Sequence, residues 1–252
     1  MKKVLVIPDV HGTRNWVYAK ENVNEYDNII ALGDWFDKWN NDWAAVDQIE
    51  NLREFVEFQY ENKEKVISCI GNHDFHYLVN NHGERYSGFQ TYKMFDIEEF
   101  LKGVKDSFVV AAMVDGVVFS HAGVSKRWAF FHQIKGESSE ELLERVNEHG
   151  VGDFVRLSFG MNHASPMDTH GDDAYQTPIW IRPFSLWGMK GSNMLFDAQV
   201  VGHTEYKDEF SPYVFNDSDL GQWLMCTDSR EHRLVEIVID NGKLVESKRI
   251  GG

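Results

Sequence analysis

The sequence predicts an α/β fold, and three features carry that reading. Apolar runs of strand length alternate with helical stretches through residues 3–70, the pattern of a parallel sheet built from βαβ units. The apolar runs end in Gly, Asp, Asn or His, as they do where strands deliver polar side chains to the carboxyl edge of a sheet. The chain has 252 residues, 42 % of them hydrophobic, and no repeat or linker divides it, so residues 1–252 read as a single domain with one sizeable core.

Taken in order, residues 3–7 form a continuous apolar strand that runs into Asp9-Val10-His11-Gly12. Residues 15–23 read as a short helix and residues 28–32 as a second strand, which Gly33-Asp34-Trp35-Phe36-Asp37-Lys38 follows. Residues 42–60 read as a long helix, because Val46, Ile49, Leu52, Val56 and Tyr60 recur at three- and four-residue spacing. Residues 66–70 form a third strand. Gly71 then lets the chain turn, and Asn72, His73 and Asp74 are displayed on the loop beyond it. Residues 91–104 read as helical. Two strands, 108–114 and 117–120, flank the hairpin signal Asp115-Gly116, and the second runs into His121-Ala122-Gly123. Residues 138–149 read as an exposed helix that Ser138 caps together with Glu141. Residues 160–178, rich in Asn, His, Ser, Asp and Gly, read as a long loop, functional or disordered. Residues 199–201 are a short strand ending in Gly202-His203-Thr204. Residues 223–226 and 233–239 are further strands, and Asn241-Gly242 turns the chain into a last strand over residues 244–249.

The formal net charge is −15, which repels nucleic-acid backbones and anionic membranes and weighs against either as a partner. The apolar run after Met1-Lys2-Lys3 stops at Pro8 and Asp9, too short for the core of a signal peptide, and no stretch approaches the roughly 20 apolar residues of a membrane span. Cys69 and Cys226 both lie in apolar runs and read as buried free thiols. A cytoplasmic protein is expected.

Five strand ends carry potential metal ligands: Asp9 with His11, Asp34 with Asp37, Asn72 with His73, His121, and His203. Imidazole and carboxylate together suit borderline divalent ions, Mn first and Fe, Zn, Co or Ni beside it. Two such ions about 3.5–4 Å apart would clamp an in-line displacement at phosphorus and acidify a shared water. Each member alone has a plainer reading. Asp-x-His after a strand is commonly a turn with a helix cap, Gly-Asp-x-x-Asp a turn, and a single His a hydrogen-bonded strand end. The joint pattern is far more specific than any of its parts.

Asp9-x-His11-Gly12, Gly33-Asp34-x-x-Asp37, Gly71-Asn72-His73-Asp74, His121-Ala122-Gly123 and Gly202-His203 together resemble the metallophosphoesterase, or calcineurin-like phosphoesterase, superfamily. Within it they look most like the phosphoprotein phosphatases of bacteria and phages, a branch that includes lambda-type protein phosphatases and symmetrical dinucleoside tetraphosphatases. The resemblance implies a four-layer α/β/β/α sandwich of the metallo-dependent phosphatase type. It implies Asp9, His11 and Asp34 on one metal and Asp34, Asn72, His121 and His203 on the other. It further implies that a hydroxide bridging the metals attacks phosphorus, with His73 as the general acid, oriented and kept cationic by Asp37. Asp74 has no ligand role in this scheme and supports the loop.

Two departures bear on substrate. Where the protein phosphatases continue with an Arg that grips phosphate, this chain has Lys38-Trp39, so Arg182, in Ile181-Arg182-Pro183, is a second candidate beside Lys38 for the phosphate. Where phosphodiesterases and nucleases of the superfamily place a second His after Gly-His, this chain has Glu205. The expected activity is phosphomonoester hydrolysis of the serine/threonine protein phosphatase kind, on a phosphoprotein. The alternative is a dinucleoside polyphosphate or nucleotide phosphohydrolase, for which Trp35, Trp39, Trp43, Trp180 and Trp187 could stack on a base, although such aromatics are more often core. A non-catalytic protein that keeps the metals only to capture a phosphorylated ligand would be expected to lack the acid or a ligand, and this chain carries them all.

Overall fold

The computed structural model describes residues 1–37, 45–78, 88–150, 157, 171–207 and 211–250. The strands are β1 (Lys2–Ile7), β2 (Asn28–Ala31), β3 (Val66–Cys69), β4 (Phe108–Val109), β5 (Ala111–Val114), β6 (Val117–Ser120), β7 (Ala198–Val201), β8 (Tyr213–Asp217), β9 (Gln222–Cys226), β10 (Leu234–Asp240) and β11 (Lys243–Ile250). The helices are α1 (Val17–Glu21), α2 (Ala45–Glu61), α3 (Asn72–Leu78), α4 (Met94–Val104), α5 (Lys126–Phe131), α6 (Ser139–Gly150) and α7 (Pro183–Trp187).

The strands form a six-stranded sheet in the order β11-β10-β1-β2-β3-β4 and a five-stranded sheet in the order β5-β6-β7-β9-β8. Within the first, β1 to β4 run parallel, and β10 and β11 are antiparallel additions. Within the second, β6, β7 and β9 run parallel, with β5 and β8 antiparallel at the edges. The βαβ expectation therefore holds for the strands that position the site, and hairpins extend both sheets.

Side-chain alternation divides the core into layers. Along β1, Val4 and Val6 face the second sheet, where they meet Ala112, Phe119, Val200 and Met225. Leu5 and Ile7 point the other way, into a cluster with Ala19 of α1, Leu52, Phe55 and Phe58 of α2 and Leu101 of α4. On the outer face of the second sheet, Leu186 of α7 packs with Val201, Leu224 and Cys226, while Val146 of α6 joins the cluster that holds Ala111 and Val118. The result is the four-layer α/β/β/α sandwich. Cys69 and Cys226 are buried free thiols. Among the described residues no helix is long and apolar enough to cross a membrane.

The far end of the sandwich is closed by the two anticipated hairpins. Asp115 and Gly116 have φ values of 49° and 81°, and Asn241 and Gly242 have 48° and 77°, the left-handed pair that a tight hairpin turn requires. The turns dock on each other: the Asn241 N–H donates to Asp115 Oδ2 at 2.7 Å, and the Gly242 N–H donates to the Asp115 carbonyl at 2.7 Å.

Several elements differ from expectation. The run 108–114 is not one strand. Phe108 and Val109 pair with β3 in the first sheet, whereas Ala111 to Val114 pair with β6 in the second, so the chain changes sheets at Val110. Residues 72–78 are not a loop but the helix α3, whose N-terminal N–H groups find acceptors in the site. The first helix is a single short turn, followed by a 3-10 turn over Val23–Glu25. Helices α5 and α7 and strand β8 carry too little periodicity to stand out in the sequence. The capping reading of Ser138 holds in modified form: its Oγ accepts from the Glu141 N–H at 3.2 Å, but Glu141 reaches back to the N–H of Glu137. Lys38, Trp39, Trp43 and residues 160–170 lie outside the described residues.

Phe119 is fully buried between the sheets. Phe119→Ala is expected to destabilise the protein by about 3–5 kcal/mol, read as a lowered urea midpoint with an unchanged slope.

Candidate metal centre

Five parallel strands, three in the first sheet and two in the second, point their carboxyl ends at one edge of the sandwich, and the polar strand-end residues meet there. Asp9 follows β1, Asp34 follows β2 and Asn72 follows β3, while His121 follows β6 and His203 follows β7. The loops that carry them are tightly tied. The N–H groups of Val10 and His11 donate to the Asp34 carbonyl at 3.1 and 2.6 Å, and the Gly12 N–H donates to the Trp35 carbonyl at 3.0 Å. His11, Asp34, Asp37 and His203 all adopt left-handed φ values, 42°, 55°, 67° and 62°, a conformation that costs non-glycine residues energy and collects at functional sites. Glycine is needed where these loops touch. A Cβ on Gly71 would sit 2.1 Å from Asp34 Oδ1, and one on Gly202 would sit 2.3 Å from Asp9 Oδ1.

The ligand atoms face one another with their other atoms already occupied. His11 Nδ1 donates to the Phe36 carbonyl at 2.9 Å, and its Nε2 lies 3.7 Å from Asp34 Oδ2. His121 Nδ1 donates to the Leu32 carbonyl at 3.0 Å, and its Nε2 lies 3.5 Å from the same Asp34 oxygen. Asp34 Oδ1 accepts the His73 backbone N–H at 2.8 Å, so Oδ2 alone stands between the two imidazoles. On the His121 side, Nε2 is 2.9 Å from Asn72 Oδ1 and 3.2 Å from His203 Nδ1, and the last two lie 3.0 Å apart. Asp9 accepts the His203 N–H on both oxygens, at 3.0 and 3.2 Å.

The electrostatics of this cluster call for cations. Burial and then repulsion from Asp228 push the Asp9 carboxyl well above its ordinary pKa. Asp34 is pushed up by burial and by repulsion from Asp9 and Asp74. Burial lowers His11 and His203, with help from neighbouring imidazoles, and pushes His121 down to about 3, so all three rings are neutral ligands at neutral pH. Paired carboxylates, neutral imidazoles and an amide oxygen converging without proton donors between them suit divalent ions of the borderline class. Asp9, Asp34 and His121, and also His11, Asp34 and His73, bring one ligand atom each within 4.8 Å of one another.

Beside the ligands stands a second unit centred on Asp37. Its Oδ2 lies 3.0 Å from His73 Nδ1 and 2.6 Å from His76 Nε2. Its Oδ1 accepts from the Tyr77 hydroxyl and, at 3.1 Å, from Gln90 Nε2, while its backbone N–H donates to Gln48 at 3.1 Å. Burial would raise this carboxyl, but the hydrogen bonds from His73 and His76 outweigh it and hold Asp37 well below the usual carboxylate range. The carboxylate is therefore fixed as an anion against the ring of His73. Asp74 lies behind the cluster and accepts three backbone N–H groups, from Trp35 at 2.7 Å, Asp34 at 2.8 Å and Gly71 at 3.1 Å, so it ties the ends of β2 and β3 together.

Sequence reasoning missed several members of the site. His76 is three residues beyond His73, so once 72–78 is a helix the two rings share a face. Tyr77, Gln48 and Gln90 carry no local pattern that could have found them. Asp228 was findable: it follows the apolar strand β9 just as the other ligands follow theirs.

The remaining sequence candidates sort by position. Arg182 caps α7, half-buried, and lines an open recess of about 400 Å³ with Asp172, Phe184, Thr204 and Tyr206. Its charge contributes, after burial and His121, to lowering His203, so it stands on the His203 side of the centre. Glu205 is exposed, apart from the buried ligands. Trp35 is core, packed on Phe55 at 4.4 Å, and Trp187 packs on Phe215, whereas Trp180 lies 4.9 Å from the His203 ring.

Comparison with known proteins agrees with this geometry. Among solved structures, a cold-active protein-tyrosine phosphatase of a psychrophilic Shewanella species superposes with a TM-score of 0.58 at 17 % identity, over 100 % of this chain and 81 % of its own. A metallophosphoesterase from Sphaerobacter thermophilus superposes with a TM-score of 0.51 at 14 % identity, over 99 % and 88 %. Both likenesses concern the fold. No curated protein matches the sequence. The family model for calcineurin-like phosphoesterases matches residues 2–204, a span that holds every strand-end ligand from Asp9 to His203, and the chain belongs to that family.

Proposed function

We propose that this chain, a metal-dependent phosphoesterase by family, is a phosphomonoesterase that uses two divalent ions, manganese first among them. Asp9, His11 and Asp34 would hold one ion and Asp34, Asn72, His121 and His203 the other. The observation that carries this reading is the division of Asp34: one oxygen fixes the backbone of His73 while the other lies between His11 and His121. Ligand set and proton donor are thereby built to one register.

When bound, the ions supply positive charge against the phosphoryl oxygens and an acidified water. The chain's residues do the rest. Asp37 holds His73 through Nδ1, so that Nε2 would give its proton to the leaving oxygen as the P–O ester bond breaks. Buried His76 and Tyr77 keep Asp37 from turning away. Arg182, on the His203 side, is placed to pair with phosphate oxygens, a role that Lys38 would share. A phosphomonoester substrate is in keeping with the description of the Shewanella neighbour as a protein-tyrosine phosphatase. The competing reading is nucleotide or dinucleoside polyphosphate hydrolysis, favoured by the recess that places Phe184 and Tyr206 beside Arg182, where a base could stack.

Three measurements test these statements. Purified protein with Mn²⁺ is expected to hydrolyse p-nitrophenyl phosphate, and excess chelator to abolish the activity. A phosphopeptide, diadenosine tetraphosphate and a mononucleotide assayed side by side are expected to rank with the phosphopeptide first; diadenosine tetraphosphate first would move the assignment to the competing reading. His73→Asn is expected to lower kcat about 10²–10⁴-fold on an alkyl phosphate with bound metal unchanged, and to lower it less on p-nitrophenyl phosphate, whose leaving group departs with little help. Equal losses on both substrates would remove His73 from the acid role.

A further inference from the structure

The two ions of the proposed centre are unequally held. Four side chains surround one, whereas Asp9, His11 and Asp34 remain for the other. Glu205, at the position where a second His after Gly202-His203 could serve, is exposed. On the His11 side, though, another imidazole is present. The His232 ring lies 5.5 Å from that of His11 at an interplanar angle of 61°. That is close to the arrangement of His121 and His203 across the centre, 5.0 Å and 63°.

Asp228 stands next to His232, with 3.7 Å between His232 Nδ1 and Asp228 Oδ1. Both atoms are buried, and among the described residues neither has a hydrogen-bond partner. Native interiors seldom leave polar atoms in that state unless a water or ion completes them. The topology supplies an independent reason for Asp228 to be there. β9 runs parallel to β7 with Val201 opposite Cys226, so Asp228 stands two residues past its strand, as His203 does past β7. His232 follows on the same loop with a left-handed φ of 49°, like His11 and His203.

We propose that His232 is a fourth protein ligand of the ion held by Asp9, His11 and Asp34, with Asp228 as its carboxylate partner. This rests on the two-ion reading. A carboxylate beside a ligating histidine fixes its ring and raises its basicity. The loop after β9 then supplies to this ion what a second His after Gly202-His203 would otherwise bring.

The test counts ions and imidazoles rather than turnover. Chelator-treated protein is titrated with Mn²⁺ by calorimetry, and the Co²⁺-loaded protein is examined by proton NMR for paramagnetically shifted imidazole N–H signals. The native protein is expected to take two ions and to show signals from four histidines. In His232→Gly, whose left-handed backbone glycine accepts, one site is expected to weaken by at least about tenfold while the other is unchanged, and one shifted signal to disappear. His232→Asn, which also tolerates that backbone, is measured alongside and is expected to lose the same signal even if the glycine variant fails to fold. Two sites of native affinity with all four signals retained in a folded variant would overturn the role of His232. Fewer than two sites in the native protein would instead overturn the two-ion reading itself.

Discussion

The structure is organised around one electrostatic problem: Asp9 and Asp34 are buried together at the carboxyl edge of the sandwich. Removing a charged carboxylate from water costs several kcal/mol, and a second one nearby adds repulsion. Among the described residues, no ion pair of either acid with a Lys or Arg removes the problem. Burial instead keeps the neighbouring imidazoles neutral, and their ring nitrogens turn inward toward the acids. Glycine at 71 and 202 then lets the loops close to within van der Waals contact. A site arranged this way could hold divalent cations, and the strained backbone at His11, Asp34 and His203 is the local cost of aiming these side chains at one another.

Asp37 solves the opposite problem. It too is buried, but four donors converge on it, so it stays charged without a metal. Asp34 faces imidazoles and a second acid while Asp37 is already satisfied, although the two lie on the same loop, three residues apart. The difference comes from α3. Its first residues deliver Asn72 to the ligand set and His73 to Asp37, and its next turn brings His76 and Tyr77 against the far side of Asp37. A segment that presented Asn72 and His73 as an irregular loop could not have supplied the second turn.

Most of the centre was legible because each ligand follows an apolar run, and a parallel strand fixes where its next residues go. The same rule reached Asp9, Asp34, Asn72, His121 and His203, and it applies equally to Asp228, which a short Trp-Leu-Met-Cys run leads into. What stayed hidden depended on contacts between distant segments. Gln48 and Gln90 come from separate parts of the chain and meet only through Asp37 and each other. His76 is unreadable with Asn72, His73 and Asp74 read as a loop, since a three-residue spacing has meaning only on a helix. The change of sheet at Val110 leaves no mark in composition, because buried residues on both sides of it are equally apolar.

That crossing at Val110 has a consequence for how the protein comes together. The first sheet brings Asp9, His11, Asp34 and Asn72, and the second brings His121 and His203. Neither sheet alone offers the whole set: one half is a cluster of mutually repelling acids with one ring, the other a pair of rings. The binding pocket for ions comes into being only when the apolar faces of the two sheets have docked, with β4 and β5 already joined in one continuous stretch. Ions bound there would enter late in assembly, and their binding free energy would act as a clasp across the seam, resisting the sliding of one sheet over the other.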